Sequence, residues 1–113
     1  MERADIAIIG TGPGGVSAAL TAKVRNKNIL LIGKKQMSDK VSKAHQIMNY
    51  PGLPAVTGAD MAKAFEKQLA MMEINITDSR IGTVYAMGDY FAIQAGGEVL
   101  EAKSVILDRK SVV

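Results

Sequence analysis

Apolar residues arrive in short bursts along this chain, and the spacing inside each burst predicts its element. Residues 5–9 (Asp-Ile-Ala-Ile-Ile) read as a buried strand that runs straight into glycines. From Pro13 to Arg25, Val16, Ala19, Leu20 and Val24 recur at helical spacing and predict an amphipathic helix, which Asn26-Lys27-Asn28 ends. Residues 29–32 (Ile-Leu-Leu-Ile) are continuously apolar, as in a parallel strand covered on both faces. Strand, helix and strand over residues 5–32 make a βαβ unit, whose crossover should be right-handed.

The stretch 33–57 lacks periodicity, is polar up to about Gln46, and is punctuated at Tyr50-Pro51-Gly52-Leu53-Pro54. Loops longer than about 12–15 residues are usually functional or disordered. This one follows the second strand, on the side where open α/β sheets bind ligands, so a ligand-facing loop is expected. A second helix is expected over 58–72, opened by Thr57 and Asp60 as a capping-box variant, with Met61, Phe65, Leu69 and Met72 on its core face. Residues 74–76 read as a third parallel strand. Residues 81–87, 90–95 and 98–102 read as a three-stranded antiparallel meander turned at Gly88-Asp89 and Gly96-Gly97. A further apolar run, 104–107, suits a strand returning to the parallel sheet.

The glycines after the first strand carry the candidate chemistry. Gly10, Gly12 and Gly15 keep the G-x-G-x-x-G spacing of a dinucleotide-binding turn. In such turns the first glycine permits the tight bend, the second lets backbone approach a pyrophosphate, and the third lets helix pack on strand. Pro13 sits where the helix begins and its missing N–H costs little. The helix N-terminus offers free N–H groups and a partial positive charge, which suit a diphosphate. The alternative is an α/β unit whose turn is merely tight.

Composition narrows the classes further. A chain of 113 residues is one domain at most, and with 4% aromatics its core must be aliphatic, filled in part by seven methionines. The net charge of +3 is mild and the basic residues are spread along the chain, so no nucleic-acid patch is expected. No apolar run approaches the ~20 residues of a membrane span. The N-terminal segment lacks a signal-peptide pattern, and a cytoplasmic, soluble domain is the expectation. With no cysteine, this chain has no thiol chemistry of its own. Asp39, Asp60 and Asp89 make no metal cluster or nucleophile–base arrangement.

Four segments together resemble the FAD domain of the low-molecular-weight thioredoxin reductases. They are Asp-Ile-Ala-Ile-Ile-Gly-Thr-Gly-Pro-Gly-Gly at 5–15, Asn49-Tyr50-Pro51-Gly52, Gly58-Ala59-Asp60-Met61, and Ala102-Lys103-Ser104-Val105-Ile106-Leu107. The stretch 41–52 is more similar to the ferredoxin-dependent flavin thioredoxin reductase branch than to the NADPH-dependent enzymes. The resemblance covers residues 4–107 but only the opening part of the family's longer proteins. It implies a flavoprotein that passes electrons through FAD to a Cys-x-x-Cys pair and on to thioredoxin, with ferredoxin or NADPH as donor. By position, Gly10, Gly12, Pro13, Gly14 and Gly15 would hold the FAD diphosphate, and Asn49 would lie beside the flavin. An amide there can donate and accept at once; equally, Asn49 could simply cap the turn before Pro51. His45, the one histidine, is either a flavin contact or a plain loop residue.

Three departures from the family qualify this. Gly33, followed by Lys34 and Lys35, stands where an acidic residue should bind the adenosine ribose, and such lysines could instead meet a phosphate, as in an NADP-like ligand. The Gly-Gly-Gln stretch of the NADPH-dependent enzymes is missing; Ser38-Asp39-Lys40 stands near that point. After Leu107 the family's Ala-Thr-Gly gives way to Asp108-Arg109-Lys110-Ser111-Val112-Val113, which reads as a non-family tail of a truncated or read-through product.

The expectation is thus a Rossmann-like α/β domain, incomplete, with a central parallel sheet and an antiparallel meander, spanning 1–113 with 108–113 as tail. Its candidate cofactor site is Gly10, Gly12, Pro13, Gly14, Gly15, Gly33, Lys34, His45 and Asn49, with no catalytic or metal residue. The expected function is FAD-dependent dithiol–disulfide oxidoreduction of thioredoxin reductase type, in a homo-oligomeric protein, a homodimer, inactive as this piece alone. The alternatives are a non-catalytic nucleotide-binding module, or another FAD-dependent pyridine nucleotide–disulfide oxidoreductase.

Overall fold

A computed structural model describes residues 3–34, 48, 51–52 and 55–108. Its elements, in chain order, are β1 (Ala4–Ile9), α1 (Pro13–Val24), β2 (Ile29–Gly33), α2 (Gly58–Met71), β3 (Ile76–Asp78), β4 (Ile81–Ala86), β5 (Phe91–Ala95) and β6 (Glu98–Leu107). All six strands lie in one mixed sheet, ordered β3-β2-β1-β6-β5-β4. β3, β2, β1 and β6 run parallel, and β6-β5-β4 form the antiparallel meander.

The expected two strands at 98–102 and 104–107 are one. β6 runs unbroken for 10 residues, pairing with β5 over its first half and with β1 over its second. Ala102 is the pivot, matched to Phe91 on one side and Ala4 on the other. Lys103 does not interrupt the strand because its side chain is exposed and lies 3.6 Å from the Asp5 carboxylate. That carboxylate also accepts the Asn28 N–H at 2.9 Å, which, with Lys103 adding to it, holds Asp5 below its usual carboxylate range.

The third strand also starts two residues later than expected. α2 closes with Glu73 at φ 57°, the Glu73 N–H donating to Ala70 O (3.1 Å) and the Ile74 N–H to Leu69 O (2.9 Å). This is a Schellman closure, so Ile74 is buried as the helix's hydrophobic stop rather than as a strand residue. α1 ends in the same way, with Asn26 at φ 60° and Lys27 N–H donating to Ala22 O (3.0 Å). At the other end of α2, Thr57 Oγ1 accepts the Asp60 N–H at 3.1 Å.

Two apolar clusters sandwich the sheet. Ile8 and Leu31 meet Val16 and Ala19 of α1 and Met61, Phe65 and Leu69 of α2. The alternate residues of β1 and β2, Ala7, Ile9 and Ile32, pack with Ile93, Ala95, Leu100 and Ala102 of β5 and β6. The α1 stripe differs from expectation in one place: Ala22 is buried and Val24 is 69% exposed. Small residues on the inner face let α1 sit close to β1, and this brings its N-terminus over the carboxyl end of the parallel strands.

Candidate functional site

The site forms where β1 stops. Residues 10–12 leave the sheet between β2 and β6, and α1 begins at Pro13. Gly10 has φ +123°, which side chains rarely adopt, and a Cβ there would collide with the Asp108 carbonyl. The Gly10 N–H donates to Ile32 O (2.9 Å), fixing the turn to β2, and the Asp108 N–H donates to Ile9 O (2.8 Å), fixing it to β6. A Cβ on Gly15 would collide with the Gly10 carbonyl, so only glycine lets helix and turn meet. The tasks expected of Gly10 and Gly15 therefore have visible causes.

The start of α1 has no cap of its own. Gly12 is the N-cap residue, extended at φ −78° and ψ −176°, with no side chain to accept an N–H, and the first turn holds no acidic residue. The first four N–H groups of a helix have no partner within it. One is met from the far end of the chain: the Gly15 N–H donates to Asp108 Oδ2 at 2.7 Å, across 93 residues of sequence. A Cβ on Gly14 would lie 2.8 Å from Asp108 Oδ1, and one on Gly12 3.4 Å from Oδ2. The glycines thus frame a cradle, and the Asp108 carboxylate sits in it.

An open cleft runs away from the turn along the carboxyl ends of the strands. It is lined by Gly10, Gly33, Lys34, Asp78, Arg80 and Thr83, with Asp78 paired to Gly33 on the neighbouring strand. Gly33 is bare for a steric reason, since a Cβ there would come within 2.7 Å of Thr11 Cγ2 and 3.1 Å of Thr11 Oγ1. Among the described residues, Thr11 is the one buried polar side chain.

Of the residues expected from sequence, Gly10, Gly12, Pro13, Gly14 and Gly15 come together at the turn, with Gly33 and Lys34 at the neighbouring strand end. His45 and Asn49 lie outside the described residues, as does most of the long loop. Sequence reasoning missed Thr11, Arg80 and Asp108. The pairing of Ile9 with Leu107 makes Asp108 the neighbour of Gly10, and the one signal available beforehand was an acid directly after the last apolar run. Among the described residues, no three His, Cys, Asp or Glu are grouped to hold a metal ion, and no helix is long and apolar enough to cross a membrane.

No family model matches the chain. It is 36% identical over 106 residues to a thioredoxin reductase of Helicobacter pylori, covering 91% of this chain and 34% of that protein. A 34.2 kDa protein in the rubredoxin operon of Clostridium pasteurianum is 27% identical over 107 residues, covering 94% and 35%. Among solved structures, a ferredoxin-flavin thioredoxin reductase from Clostridium acetobutylicum superposes with TM-score 0.91 at 44% identity, covering 95% of this chain and 37% of that one. The thioredoxin reductase of Streptococcus pyogenes gives 0.85 at 28% identity, covering 93% and 34%. The chain spans about a third of the length of these relatives. In both sequence and fold, this chain is similar to about a third of the length of the thioredoxin reductases it matches.

Proposed function

We propose that this chain is the FAD-binding part of a flavin-dependent oxidoreductase of thioredoxin reductase type. The observation that carries the reading is the glycine turn at the end of β1. It presents side-chain-free backbone at the N-terminus of α1, a cradle bordered by Gly12, Gly14 and Gly15, where a Cβ on Gly14 would lie 2.8 Å from the carboxylate oxygen Asp108 Oδ1 that sits in it. Gly10, Gly12, Pro13, Gly14 and Gly15 would hold the diphosphate, and the cleft by Gly33, Lys34 and Arg80 would take the adenosine side. Asn49 and His45 are assigned to the flavin side from sequence alone. FAD supplies two-electron redox chemistry when bound; this chain's residues bind and orient it.

The chain has no cysteine, so the dithiol–disulfide step of the whole protein would use residues outside it, with thioredoxin as the product. Ferredoxin is favoured over NADPH as the donor. Identity to the ferredoxin-flavin enzyme is 44%, against 28% for the Streptococcus enzyme, and the Gly-Gly-Gln stretch is missing. A homo-oligomer in the cytoplasm fits this reading.

Titrating the chain with FAD, FMN and riboflavin, followed by flavin fluorescence, tests it. The turn reads a diphosphate joined to adenosine, so FAD should bind and the other two should not. Binding should be weak enough to be lost on gel filtration, because the ribose carboxylate is replaced by Gly33 and losing a hydrogen-bonded contact costs ~1–3 kcal/mol. Equal affinity for all three flavins, or none for FAD, would overturn the assignment.

A further inference from the structure

The Asp108 carboxylate holds the position that an anionic ligand of this turn would need. A helix start attracts one negative group through its free N–H groups and dipole, and α1 brings no such group on its own first turn. Asp108 supplies it from the end of β6, with Oδ2 on the Gly15 N–H at 2.7 Å. Its other oxygen faces Gly14, where a Cβ would come within 2.8 Å. The carboxylate is held there by backbone as well, because the Asp108 N–H is bonded to Ile9 O at 2.8 Å. That bond makes Asp108 a continuation of the β1–β6 ladder rather than a passing side chain.

We propose that Asp108 is an internal anion that caps α1 in the flavin-free chain and competes with the flavin diphosphate for the glycine turn. This rests on the reading of the turn as a diphosphate site. Two like charges cannot share one partly desolvated helix start without loss, so a diphosphate must displace the carboxylate or bind against its repulsion. The displacement needs only side-chain rotation, since the Asp108 N–H stays bonded to Ile9 O. Asp108 therefore opposes two properties of the chain: it stabilises the flavin-free fold by completing the helix cap, and it lowers affinity for FAD.

The test uses the 113-residue chain, Asp108→Ala and Asp108→Asn, each titrated with FAD and each melted without it. Asn keeps the size and one acceptor oxygen while removing the charge, so it guards against a variant that fails to fold. The alanine variant should bind FAD on the order of tenfold more tightly than wild type, and the asparagine variant should fall between them. Without flavin, the alanine variant should melt at a lower temperature, because the Gly15 N–H loses its acceptor. Tighter binding together with a lower melting point is the expected signature. Wild-type binding with no gain in either variant overturns the competition and leaves the flavin reading standing. No FAD binding by any of the three overturns both.

Discussion

At the scale of single residues, the site is decided by what is missing at three positions. Gly10 bends the chain under the Asp108 carbonyl, Gly15 admits the Gly10 carbonyl, and Gly33 leaves room for Thr11. The last of these explains why the acid that the family resemblance calls for cannot simply be put back. Gly33→Glu should destabilise the chain by about 1–3 kcal/mol, because its Cβ meets the Thr11 side chain in a packed place. Thr11→Ala should recover most of that loss in the double variant. Urea unfolding of the four chains in a cycle measures the coupling, and strictly additive changes would show that Thr11 is not the obstacle. The glycine pattern of this site was readable from the sequence because spacing alone implies a turn. Thr11 and Asp108 were not, since their importance lies in contacts across strands that no local pattern encodes.

At the scale of elements, the apolar periodicity carried most of the information, and its failures have definite causes. β1, α1, β2 and α2 lie within a residue or so of their expected bounds, because each has a burst of apolar residues and a chemical stop. Ile74 reads as the start of a strand because a Schellman closure places a buried hydrophobic residue just past the helix. Lys103 reads as a break because it is polar within an apolar run, whereas it is exposed on an unbroken strand. The α2 closure also makes a prediction. Glu73 holds φ 57° without being glycine, so Glu73→Gly should leave the helix in place and stabilise the chain by about 1 kcal/mol. Thermal melting checks it, and a loss of stability would mean that the glutamate side chain contributes more than its backbone costs.

At the scale of the whole molecule, one sheet carries both the parallel half that positions the turn and the meander that fills the opposite core. β6 is an inner strand paired on both sides, so its exchange between copies would have to rebuild both ladders in the partner. Apolar residues remain exposed on the meander half, including Tyr85, Met87 and Val99. Face-to-face self-association at micromolar concentration is therefore expected by light scattering, and a monodisperse monomer would contradict it. The central claim, that the glycine turn is where FAD meets this chain, has a more direct test in amide NMR. Adding FAD to the labelled chain should shift the backbone N–H signals of Gly10, Gly12, Gly14, Gly15 and Val16 first, with Gly33, Lys34 and Arg80 following in the cleft. Shifts that leave the turn unmoved and gather in the groove between α1 and α2, around Leu20, Phe65 and Gln68, would contradict the account.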